Sequence, residues 1–333
     1  MNPVRIEQLR STFRETQPKL AQFFDRARTQ REVEELQQLF LIQARERLAK
    51  ALGKTVEQLD GTDQTATFTL KPDDAAALLS ATGDTIEALV HKYLDGLQRL
   101  QNMTDDDAYQ VAAQVLFMGA VAIGTTAITA SFSTIIQGGT LAAAALLGVS
   151  TATVGAVCAI AAIVVLVVVI PIIYYMEKPA LCMVLLINQI IDQNLTGAFD
   201  LDFKDDHNDH GKPVLLTTPI NGGIDFGGGE VILGAGFVAT SKRDNALRGT
   251  QYGFTYTVKS GSPNLSFGVE DPLIFGSNSG YCSIGSDSQS AADAVDSKGN
   301  LDYSAQSDGY NVRIRCNSGS GDIAYYVAAV SKT

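Results

Sequence analysis

Val4, Leu9, Phe13, Leu20, Phe23, Phe24, Val33, Leu36, Leu39, Phe40, Ile42, Leu48 and Leu52 recur three or four residues apart between charged positions, a spacing that predicts helix over residues 4–52. Thr16-Gln17-Pro18 predicts a break inside it, because proline suits a first helical turn and disfavours helix in the residue before it. Gly53 is the expected stop. Gly61–Lys71 (GTDQTATFTLK) alternates polar and apolar residues, as an extended connector or short strand does. Lys71-Pro72-Asp73-Asp74 and Gly83-Asp84-Thr85 then predict two helix starts with acids in the positive first turn. The second runs to about Gln101 on an apolar face of Ile86, Leu89, Val90, Tyr93, Leu97 and Leu100.

Asn102–Asp107 caps entry into a different kind of sequence: the 69 residues from Ala108 to Met176 contain no Asp, Glu, Lys or Arg. Gln137-Gly138-Gly139-Thr140 divides this run into arms of 28 residues, Tyr109–Ile136, and 30 residues, Leu141–Ile170. Each exceeds the roughly 20 residues that cross a hydrocarbon core. The first arm is amphipathic without charge: Gln110, Gln114, Thr125, Thr129, Ser133 and Gln137 fall close to one helical face. Gln114, Thr125, Thr129, Ser133 and Gln137 are therefore candidates to line a pore, or to hydrogen-bond inside a bundle. The candidate membrane-inserting residues are Val115, Phe117, Val121, Ile123, Ile128, Phe132 and Ile135 on this arm, Gly138 and Gly139 at the tip, and Leu146, Leu147, Val164, Val165, Leu166, Val167 and Val168 on the second. An uncharged tip fits insertion, since each charge at mid-bilayer costs several kcal/mol. The cationic flank that orients a permanent span is weak, with Asp105–Asp107 before the run and Lys178 beside Glu177 after it. Ala180–Asn194 reads as a last apolar helix, capped by Gly197.

Beyond about Phe199, Gly, Ser, Asn and Asp become dense and short β-rich runs appear at 214–218, 229–240, 251–259, 264–269, 273–275, 281–284, 310–316 and 322–331. This predicts an antiparallel sandwich or barrel. The organisation expected is a multidomain α+β protein: an amphipathic helical bundle over 1–107, a hydrophobic hairpin and closing helix over 108–196 in the same helical domain, an acidic linker over 197–212, and a β-sandwich recognition domain over 213–333. Adjacent Tyr325 and Tyr326 must point to opposite faces of a strand, so one is expected at an exposed surface or interface. With Tyr310 they are the candidate surface-recognition residues.

Charge and cysteine usage narrow the function classes. A formal charge of −11 and the lack of any Lys/Arg run argue against a nucleic-acid partner. Three His and four Cys show no zinc-type spacing, and Asp200–Gly211, although rich in oxygen and imidazole, does not fit a calcium loop. No metal or cofactor is expected. Cys282 and Cys316 are candidates for a disulfide outside the cell; Cys158 and Cys182 read as buried small apolar residues. No nucleophile, phosphate-loop or metalloprotease motif is present, so no catalytic residue and no enzyme activity is expected. No cleavable secretory signal is visible at the start, so any export is expected to follow another route.

Long amphipathic helices around one uncharged hydrophobic hairpin resemble, over roughly residues 1–196, the haemolysin E (cytolysin A) superfamily of α-helical pore-forming toxins. The resemblance lies in layout rather than in a residue motif. It implies a secreted, soluble protein that converts to a homo-oligomeric pore in a target-cell membrane by inserting residues 109–176, alone or with a partner toxin component. The β domain would then bind a glycan, lipid or protein receptor. Two alternatives predict different behaviour: an integral or membrane-anchored binding protein with two permanent spans, and a soluble lectin-like adhesin.

Overall fold

A computed structural model describes residues 3–51, 55–56, 67–70, 72–100, 121–123, 165–175, 180–193, 197–225, 231–243, 246–259, 261, 263–273 and 276–333. The first periodic stretch forms three helices, α1 (Pro3–Thr16), α2 (Pro18–Arg26) and α3 (Gln30–Ala51), broken at Gln17-Pro18 as the proline dictates. Two more follow, α4 (Pro72–Ser80) and α5 (Asp84–Leu100), each with carboxylates in its first turn. Val165–Val169 makes a π-helical turn that leads into the short α6 (Ile170–Tyr175). These helices, 22 residues at the longest, form a layer on a β-sheet and not the long-helix bundle expected.

Among the described residues that sheet has nine strands. Its main path runs β11 (Asp302–Ser307), β12 (Tyr310–Cys316), β13 (Ile323–Lys332), β3 (Leu181–Asn188), β7 (Val231–Ser241), β1 (Thr67–Leu70) and β2 (Val121–Ile123). Strands β5 (Lys212–Leu216) and β6 (Ile224–Asp225) also pair with β7. All pairings are antiparallel except β13 with β3, where Ile323 sits opposite Leu181. Four further strands, β10 (Ser279–Ile284), β9 (Asn264–Asp271), β8 (Thr250–Val258) and β4 (Leu201–His210), make a second sheet. A helix, α7 (Ser288–Lys298), lies against it; Asp287 caps this helix by accepting the Ser290 N–H at 2.8 Å.

Burial divides along the strand period. On β3, Leu181, Met183, Leu185 and Ile187 join the helices' core, while Cys182, Val184 and Leu186 join the core between the sheets. Tyr325 and Val327 of β13 face the helices; Tyr326 and Ala328 face the small sheet. The layers are therefore helices, large sheet, small sheet and α7. Gly253 and Gly268 permit the last contact, because a Cβ on either would stand 1.9 Å from the Ser288 carbonyl oxygen or 2.2 Å from that of Ala291.

Several expectations change. Ala180–Asn194 is not a helix: its core is β3, buried on both faces, and a doubly covered strand presents a continuous apolar run that periodicity cannot separate from a buried helix. Leu201–His210, read as part of an acidic linker, is β4, whose polar side chains sit partly exposed at the edge of the small sheet. Val121–Ile123, placed on a helical arm, pairs with Thr67–Thr69 as an edge strand, which also shows Gly61–Lys71 to contain a strand. Residues 101–120 and 124–164, with most of the hairpin, lie outside the described residues. Among the described residues no helix is long and apolar enough to cross a membrane.

Candidate functional site

A cleft of about 950 Å³ lies between α3 and the strands β4, β5 and β8. Helix α3 turns its buried stripe, including Val33, Leu41 and Ala44, to the core, leaving Arg31, Glu34, Glu35, Gln37 and Gln38 along the cleft. The opposite wall is Phe203 and Asp206 of β4, Pro213–Leu216 of β5, Thr218 and Tyr252. Register shifts between Phe203 and Asp205 and between Asn208 and His210 bend β4 where it passes the cleft. Thr218 Oγ1 accepts the Phe203 N–H at 2.9 Å, and the Tyr252 hydroxyl donates to Asp206 Oδ2 at 2.9 Å. Burial, followed by the neighbouring Asp206 charge, pushes the Tyr252 hydroxyl far above its usual range, so it remains a donor. Arg31 Nε lies 2.8 Å from Glu35 Oε1, and Gln37 Nε2 donates to the Leu166 carbonyl. One guanidinium, three carboxylates, two amides and a half-buried aromatic ring thus face one solvent-filled space.

A second, polar cleft of about 500 Å³ runs between α1 and α5, with His91 in its lining. His91 Nε2 pairs with the Tyr325 hydroxyl at 2.7 Å, while Glu87 on the same helix lies 3.6 Å from Arg5. Burial and the Arg5 charge hold the His91 pKa down at about 4, so the ring is neutral. This pair ties the helices to β13.

Of the residues proposed for surface recognition, none has an open surface. Tyr310, Tyr325 and Tyr326 are all buried. The two adjacent tyrosines do point to opposite faces, but both faces are covered: Tyr326 donates to the Glu270 carbonyl at 2.7 Å between the sheets, and the helical layer covers Tyr325. Among the proposed inserting residues, Val165, Leu166 and Val168 are buried among the helices. Val121 and Ile123 are in β2. Val167 lies in the π-turn, between Leu166 and Val168. Val115, Phe117, Ile128, Phe132, Ile135, Gly138, Gly139, Leu146, Leu147 and Val164 lie outside the described residues, as do the pore-lining candidates Gln114, Thr125, Thr129, Ser133 and Gln137.

Cys282 and Cys316 are free buried thiols, not a disulfide, and burial pushes each up to about 12; Cys182 is likewise buried and free. Cys282 bonds the Tyr303 and Val312 carbonyls at 3.5 Å, and Cys316 the Ser318 carbonyl at 3.2 Å. His207 Nε2 pairs with Asp209 at 3.0 Å and His210 Nε2 lies 2.7 Å from Arg248 Nη1, so the β4 histidines are occupied locally. Among the described residues no cluster of His, Cys, Asp and Glu is arranged to hold a metal ion.

No protein-family model and no curated protein matches the chain. Among solved structures it is partly similar to the lipid-binding protein Nakanori, at TM-score 0.35 and 11% identity over 46% of this chain and 72% of that one. It is also similar to the RahU protein, at TM-score 0.28 and 11% identity over 46% and 96% of the two chains. A lectin of Xerocomus chrysenteron, XCL, gives 0.29 and 12% over 45% and 99%. At such scores these likenesses assign neither a family nor a ligand to this chain.

The α3 side of the cleft was visible in the sequence only as a charged helix face. Its β4 wall was hidden because Asp202–His210 reads as solvated loop; the signal that could have found it is the alternation of Leu201 and Phe203 into that acidic run.

Proposed function

We propose that the protein is a binding protein of lectin-like type whose cleft between α3 and β4–β5 takes an uncharged, polyhydroxylated ligand, a glycan at a target surface. The observation that carries this reading is the composition of the cleft. Carboxylates, amides and a guanidinium offer paired donors and acceptors for vicinal hydroxyls, and the Phe203 ring offers an apolar plane for a sugar face. Three carboxylates against one guanidinium disfavour an anionic ligand. The test is a binding screen against neutral and acidic oligosaccharides with the wild type and with Arg31→Ala/Gln38→Ala, whose side chains are exposed on α3. Selective binding of a neutral sugar that weakens in the variant supports the reading, whereas a protein that binds no sugar refutes it.

A second reading, membrane insertion, is favoured by one observation: the charge-free run ends at Val165–Tyr175, packed between α1, α3 and α5, where an apolar element would be stowed before release. Dye-filled liposomes test it. Leakage by the wild type that disappears in Gly138→Asp/Gly139→Asp would support insertion; no leakage, or equal leakage by both proteins, would remove it.

A further inference from the structure

Among the described residues, helices α2 and α3 carry an outward face rich in exposed large apolar side chains. Among the described residues seven large apolar side chains are exposed, and three of them, Phe23 (51%), Leu39 (51%) and Ile42 (54%), lie on these two helices. Leu39 and Ile42 stand three residues apart on one side of α3, outside the lining of the groove that Phe23 enters. Phe23 packs its ring 6.0 Å from that of Phe40, and both line a groove of about 690 Å³ floored by Leu20, Val165 and Leu166. The groove's polar residues include Lys19, Arg47 and Lys50 against the single carboxylate of Glu46. A locally cationic, apolar face on a chain of net charge −11 is a concentration of features, not a sample of the average surface.

We propose that this α2–α3 face docks on a lipid bilayer bearing anionic headgroups. A helix lying in the interface buries apolar side chains at the acyl boundary and sets its cations at headgroup level, and long Lys and Arg stems reach that level from an apolar face. Phe23, Leu39 and Ile42 are the anchors; Lys19, Arg47 and Lys50 supply the charge complementarity, with Glu46 opposing them. The groove shares no residue with the glycan cleft, whose α3 wall is Arg31, Glu34, Glu35, Gln37, Gln38 and Leu41.

The test is co-sedimentation of the full chain with phosphatidylcholine vesicles and with mixed phosphatidylcholine–phosphatidylglycerol vesicles. Two variants are compared, Phe23→Ser/Ile42→Ser and Lys19→Gln/Arg47→Gln/Lys50→Gln, whose exposed positions leave the core intact; circular dichroism and thermal unfolding check this. The wild type is expected to prefer the anionic vesicles and to release as salt rises. Each variant is expected to lose affinity by about ten-fold or more, since each removes one of the two attractions. Absence of vesicle binding, or binding by either variant as tight as that of the wild type, would overturn the proposal. So would binding that persists in them but disappears in Gly138→Asp/Gly139→Asp, which would assign it to the charge-free run. Concentration-dependent self-association lost in the variants, without an effect on vesicles, would make the face a contact between two copies and overturn it equally.

Discussion

Asp271 ends β9 where the two sheets meet, and its carboxyl is 1% exposed. Burial, reinforced by the charges of Asp322 and Glu270, pushes its pKa up to about 8 against the opposing pull of the Leu181 and Ala324 backbone N–H groups, and its Oδ2 has no hydrogen-bond partner among the described residues. In the unfolded chain the same group titrates near about 3.9. Between these values the unfolded state releases a proton that the folded state keeps, so folding stability contributed by this group is complete in acid and is lost as pH rises towards 8. Each pH unit in the window costs about 1.4 kcal/mol, a little less close to the folded value, which gives about 4 kcal/mol from about pH 5 to about pH 8. Asp271→Asn keeps an oxygen acceptor and has no proton to lose. Urea unfolding of both proteins across that window should therefore show the variant gaining about 4 kcal/mol on the wild type between the acid and the alkaline end. Comparing variant with wild type cancels the opposite contribution of His91, whose depressed pKa makes stability fall as pH drops below its unfolded value of about 6.5. Parallel stability curves for the two proteins would refute the assignment of a buried, proton-holding carboxyl at position 271.

Tyr325→Phe removes the hydroxyl facing His91 Nε2 and should cost about 1–3 kcal/mol in denaturant unfolding, the cost of a buried polar atom left unmatched. Gly253→Ala drives a Cβ into the Ser288 carbonyl; it should destabilise by about 2 kcal/mol or more and raise hydrogen exchange first in α7. Asp302→Ala breaks the 2.6 Å contacts to Arg313 and Arg315, but these groups are partly exposed and Arg315 keeps its bond to the Ala81 carbonyl. A loss of no more than about 1 kcal/mol in thermal unfolding is expected.

How much of this was legible in the sequence depends on what covers each segment. Helices α1–α5 were readable because each keeps one wet face, so its apolar residues recur at three and four. Strands β5 and β7–β9 were readable from β-rich runs between glycine-rich turns, and Tyr310–Cys316 alternates because its strand keeps one partly exposed face. Strand β3 failed for the opposite reason: wet on neither side, Leu181–Ile187 shows no period. Strand β4 failed because an edge strand tolerates Lys204–His210, nearly all of it polar. Helix α7 was missed although Asp287 with Ala291, Ala292 and Val295 spells a cap and a buried stripe, because its serines and aspartates resembled the turns around it. Expecting Tyr325 at a surface followed from treating the β region as separate from the helices; the helices cover that sheet face. The cleft itself joins residues about 170 positions apart, Arg31–Gln38 and Phe203–Thr218, a pairing that only the packing of α3 beside β4–β5 creates.

The most direct test of the proposed function is hydrogen exchange of the full chain with and without the neutral oligosaccharide that binds best in the sugar screen. Ligand should slow exchange in α3 around Arg31–Gln38 and in β4–β5 from Phe203 to Leu216, and Arg31→Ala/Gln38→Ala should abolish both effects. Protection confined to another surface, or no protection under saturating sugar, would contradict a glycan site in this cleft.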